Sequence, residues 1–137
     1  MKLVDIDLSE ISHASSLADV SVTNSVLIIN VTGNIAPILS RVKCRLLRIS
    51  EMILSSEDTA ALVQGMQNNV EQVELGDGGP VDLDMNTLLT SNGRGHCGKV
   101  LCQGENRMRY RDQLATWGES MGWSVEKNRA YVRIERN

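Results

Sequence analysis

Apolar residues return along this chain in one fixed frame. In "CGKVLC" they stand at Cys97, Val100 and Cys102, the first, fourth and sixth places. The same frame holds Val70, Val73 and Leu75, then Cys44, Leu47 and Ile49, and earlier Leu17, Val20 and Val22. Units therefore start near 17, 44, 70 and 97, a period of about 27 residues. A further match lies in "RAYVRI", where Val132 and Ile134 fit but Arg129 occupies the first place. Alternation of this kind predicts short strands with one face buried.

Between these strands the apolar spacing becomes helical. After "CRLLRI", Ser55 or Ser56 can cap a helix whose start carries Glu57 and Asp58 and whose stripe is Ala61, Leu62 and Met66. Asp84 can cap a shorter helix with Leu88 and Leu89. Asn34 precedes another, with Pro37 in the first turn, where proline is tolerated. Ile35, Leu62 and Leu88 share one offset within their units, so helices and strands keep one register. The last helix is the longest: "ENRMRYRDQLATWGESMGW" places Leu114, Trp117 and Met121 on one side, with Gly122 as its stop. The expected class is α/β, one domain over residues 1–137. Residues 1–16 form an N-terminal cap or extra strand, and 129–137 a C-terminal strand and tail.

Composition narrows the function classes. The chain is 42% hydrophobic and 23% charged, as in an ordinary globular protein, and its lack of Phe implies an aliphatic core. A net charge of −3 offers no field for nucleic acid or an anionic membrane. One basic cluster, Arg107, Arg109 and Arg111, supplies the alternative reading of a nucleic-acid-binding helix over 106–121. "MKLVDIDLSE" has acids where a signal peptide needs an apolar core, and the longest apolar run, "VLII", is too short to span a bilayer. With three cysteines, an odd number, the expectation is a reducing, cytoplasmic setting. The sequon at Asn30, Val31 and Thr32 is the one dissenting motif.

His96 beside Cys97 and Cys102 raises the question of a metal. Sister units carry Leu, Val or Ile at those cysteine places, so Cys44, Cys97 and Cys102 are read as buried core thiols. Zinc would need further ligands, and the only other histidine is His13. No metal and no cofactor are expected. Catalysis is not expected either. Ser and His meet only in "SHASS", and "GDGGP" matches no phosphate-loop pattern and carries Asp77.

The segments "CRLLRISEMILSSEDTAALVQGMQNN" and "VEQVELGDGGPVDLDMNTLLTSNGRGH" resemble leucine-rich repeats, in particular the ribonuclease-inhibitor-like class found in NOD-like receptors. The asparagine that such repeats carry three places after the sixth is replaced by Ser25, Met52, Gly78 and Glu105. The resemblance implies a short solenoid with parallel strands on a concave face and helices on a convex one. It also implies a non-enzymatic protein-binding module, an adaptor or regulator in innate-immune signalling. Outward places in the strands form two rows. The fifth place gives Ser21, Arg48, Glu74, Leu101 and Arg133, and the third gives Asp19, Leu46, Gln72, Lys99 and Tyr131. Charge mixed with Leu46, Leu101 and Tyr131 suits a protein partner. Arg48 and Glu74 are expected to face one another as an exposed pair. At the N-terminal end, Leu3, Ile6, Leu8 and Ile11 are expected at a homodimer contact, because an uncovered strand edge invites pairing.

Overall fold

A computed structural model describes residues 1–19, 23–76, 78–90 and 95–137. Its main sheet has seven strands in the order β1 (Lys2–Asp7), β2 (Thr23–Thr32), β3 (Cys44–Ser50), β5 (Val70–Leu75), β7 (Lys99–Gln103), β9 (Tyr131–Glu135) and β8 (Ser124–Lys127). The first five are parallel, and β9 and β8 are antiparallel. Two further strands, β4 (Met52–Ile53) and β6 (Val81–Asp82), pair parallel as a small second sheet. Connections run through α1 (Ala36–Arg41), α2 (Ser56–Asn68), α3 (Met85–Leu89) and α4 (Gly104–Ser120). The first connection, from β1 to β2, contains the 3-10 turns Leu8–Glu10 and Ala14–Asp19.

Because the parallel strands advance in one direction across the sheet, crossovers of one hand gather the helices on one face. The core lies there. Val26, Ile28, Leu47, Ile49, Val73, Leu75, Val100 and Cys102 pack against Ile38, Leu39, Leu62, Leu88, Leu114 and Trp117. At Gly65 of α2 the helices come close: a Cβ there would lie 2.2 Å from the Leu39 carbonyl oxygen of α1. α2 begins with a capping box in which Ser55 and Asp58 each accept from the other's backbone amide, and α3 is capped by Asp84. Among the described residues no helix is long and apolar enough to cross a membrane.

The first unit differs from the expected register. Its strand is β2, where Val26 pairs with Leu47 and Ile28 with Ile49. Leu17 falls in the 3-10 turn Ala14–Asp19, and Val20, Ser21 and Val22 lie outside the described residues. Val26 and Ile28 lie six residues beyond Val20 and Val22, an even shift that keeps the alternation, so periodicity alone does not choose between the two pairs. Leu3 pairs with Ile28 and so extends the sixth-place row into β1.

The last unit also departs. After α4, Gly122 (φ +75°) turns the chain into an antiparallel hairpin, whose bend is held by Asn128 Oδ1 accepting from the amides of Ala130 and Tyr131. Val132 and Ile134 still enter the core, but with fourth and sixth places exchanged: Val132 faces Cys102 and Ile134 faces Val100.

A second periodic feature is a backbone one. Asp5 (φ +53°), Asn30 (+49°), Glu51 (+51°) and Gly104 (+58°) adopt the left-handed conformation, each two residues beyond the sixth place at Leu3, Ile28, Ile49 and Cys102. Asp77, the corresponding residue of the β5 unit, lies outside the described residues. After Glu51 and Gly104 the chain has left the main sheet, whereas β1 and β2 stay paired beyond Asp5 and Asn30 through Ile6–Val31 and Asp7–Thr32, and Asn30 Nδ2 donates to Asp5 Oδ1 at 2.8 Å between the two bends.

Candidate functional site

The sheet face without helices presents two rows of side chains brought together by strand register. One row runs Leu27, Arg48, Glu74, Leu101 and Arg133, ending at Glu126 of β8. The other runs Ser25, Leu46, Gln72, Lys99 and Glu135. Neighbouring strands lie about 4.8 Å apart, so each row is a contiguous strip of surface.

Charges along the first row are neutralised in place. Arg48 Nε donates to Glu74 Oε2 at 2.9 Å, and Gln72 Nε2 donates to Glu74 Oε1 at 3.2 Å. The pair is not an evenly exposed one: the Glu74 side chain is 12% exposed and that of Arg48 54%. Two strands on, Arg133 pairs with Glu126, and the Tyr131 hydroxyl donates to the same carboxylate at 2.9 Å. Leu46 and Leu101 stand half-buried between these polar groups. Beside the second row a groove of about 560 Å³ is lined by Arg45, Leu46, Gln72, Lys99 and Glu135 among others. Glu71 at its rim lies 3.6 Å from Arg45 and 3.9 Å from His96.

The structure thus brings together Leu46, Arg48, Gln72, Glu74, Lys99, Leu101 and Arg133. Tyr131 does not join the Lys99 row, because the antiparallel hairpin sets it opposite Gln103 and gives its place to Glu135. Asp19 is in a 3-10 turn, 3.9 Å from Arg41, and Ser25 holds the position expected for it. Of the four residues expected at a dimer contact, Leu3 of β1 and Leu8 of the 3-10 turn Leu8–Glu10 are buried in the chain's own core. Ile6 is half-buried and Ile11 exposed.

The three thiols are free and buried. Burial pushes Cys44 up to about 11 and Cys102 to about 12, and raises Cys97 as well. No group of three or more His, Cys, Asp or Glu side chains able to hold a metal ion occurs among the described residues. In α4 the arginines bond within the chain: Arg107 to the Asn128 carbonyl, Arg109 to Asp82 and Arg111 to Asp112.

Two residues missed by pattern reading anchor the loop that leaves β5. Asn106, fully buried, accepts from the Val81 amide at 2.7 Å and donates to the carbonyls of Gly76 (2.9 Å) and Gly79 (3.1 Å). The Tyr110 hydroxyl donates to the Val81 carbonyl at 2.7 Å and accepts from the Leu83 amide at 3.2 Å. The residue three places after Cys102 is Glu105, and the asparagine stands one position later.

No protein-family model matches the chain, and neither does any curated protein or solved structure.

Proposed function

We propose that this chain is a short leucine-rich-repeat-like solenoid that works as a non-enzymatic protein-binding module, its partner lying across the helix-free sheet face. The observation that carries the reading is the in-register row Leu27, Arg48, Glu74, Leu101 and Arg133. It offers apolar contacts flanked by charges already paired within the chain, so a partner can cover it without stranding an unpaired ion. The groove beside Leu46 and Lys99 is open and has no convergent nucleophile and base, which supports recognition rather than catalysis. The arginines of α4 are taken up by Asn128, Asp82 and Asp112, which speaks against the nucleic-acid reading. The resemblance to NOD-like receptor arrays makes cytoplasmic innate-immune signalling the setting of this proposal, as adaptor or regulator. A photo-crosslinking residue in place of Lys99 tests it: the adduct should form there and not from the same residue in place of Gln113 on α4.

A further inference from the structure

The two edges of the seven-stranded sheet are finished differently. β8 is four residues long, and its Glu126 is held by Arg133 and Tyr131, which blunts that edge. β1 has six residues. The Leu27 amide donates to the Met1 carbonyl at 3.0 Å, and the parallel register from Lys2 to Val4 then leaves the backbone groups of Lys2 and Val4 pointing away from β2. Apolar surface collects at the same end. Val4 (40% exposed) and Ile11 (38%) are two of the four large apolar side chains that the described residues expose. Charge along β1 is polarised, with Lys2 at its start and Asp5 and Asp7 at its end.

We propose that β1 pairs antiparallel with β1 of a second copy, forming a two-fold dimer through a continuous sheet. Antiparallel pairing sets Lys2 of each copy beside the acidic end of the other, whereas parallel pairing would set like charges together. It covers Val4 on the helix-free face. Leu3 and Leu8 take no part in the contact, being spent on the core of their own chain. Lys2 and Val4 lie at the β1 end of the helix-free face, away from Lys99, Leu101 and Arg133, so the dimer and the partner reading are tested by separate residues.

Size-exclusion chromatography with light scattering of the full chain, at concentrations up to roughly 100 µM, tests the proposal. The wild type should show a dimer mass that falls toward monomer on dilution. Val4→Asp should raise the dimer dissociation constant at least about tenfold with an unchanged far-UV spectrum, as should Lys2→Glu. Ile53→Asp, at an exposed apolar residue of β4, should leave it unchanged and serves as the control. A wild-type monomer mass throughout, or a folded Val4→Asp protein that dimerises as before, overturns the proposal. If Val4→Asp does not fold, Lys2→Glu decides alone.

Discussion

Glu74 on β5 receives Arg48 Nε of β3 at 2.9 Å while its other oxygen is held by Gln72, and it is far less exposed than its partner. The two ends of this pair therefore differ in cost. Arg48→Ala should destabilise the fold by about 1–3 kcal/mol, because it leaves the mostly buried Glu74 carboxylate without its counter-ion. Glu74→Ala should cost less, under about 1 kcal/mol, because water solvates the half-exposed Arg48 head that it frees. Urea unfolding of the two variants measures the difference. Glu74→Lys is a poor probe of binding, since it sets a second cation against Arg48 in a mostly buried place and so alters the fold as well as the surface.

Asn106 offers a sharper stability test. Asn106→Ala leaves the Val81 amide and the carbonyls of Gly76 and Gly79 without their partner, at a cost of about 2–4 kcal/mol. Asn106→Asp keeps the acceptor for Val81 but turns a carboxylate toward two carbonyls, and should be no better. Thermal unfolding of both variants checks this. A loss under about 1 kcal/mol for each would mean that water replaces the side chain.

The left-handed bends predict opposite signs at two positions. Gly104→Ala forces a Cβ into φ +58° and should destabilise by about 1 kcal/mol. Glu51→Gly relieves the same conformation at φ +51° and should stabilise by up to about 1 kcal/mol. Denaturant midpoints at constant slope report both.

The buried thiols predict a pH dependence. Cys44 and Cys102 titrate near 11 and 12 in the folded chain, against 9.0 for a free thiol. The stabilisation they carry is fully present below pH 9 and is lost as pH rises, because the unfolded chain gives up these protons first. Stability should fall between about pH 9 and 12. At pH 8 a thiol reagent should react slowly with native protein and fully after denaturation. Rapid modification of three native thiols would contradict the assignment.

The strand-and-helix alternation was legible because each unit repeats one apolar frame. Cys44, Leu47 and Ile49 lie beside Val70, Val73 and Leu75 as that frame requires. Exact register was not legible at either end. Val26 and Ile28 lie an even six residues beyond Val20 and Val22, so strand alternation fits both pairs equally. The direction of β9 was hidden by symmetry, for an antiparallel strand centred on Arg133 opposite Leu101 buries the same residues as a parallel one. Only Tyr131 and Glu135 exchange places, and nothing local distinguishes them. Asn106 escaped because its role depends on Gly104 bending the chain just before it, a backbone event that an apolar frame does not record.

A partner lying across the helix-free face would cover Leu101 and leave α4 free. The most direct test is the affinity of a crosslinked and identified partner for Leu101→Asp and for Met108→Asp, an exposed position on α4. Leu101→Asp should weaken binding at least about tenfold, some 1.4 kcal/mol, while Met108→Asp should bind as the wild type does. Normal binding by folded Leu101→Asp, with loss in Met108→Asp, would contradict this placement and move the interface to the helices.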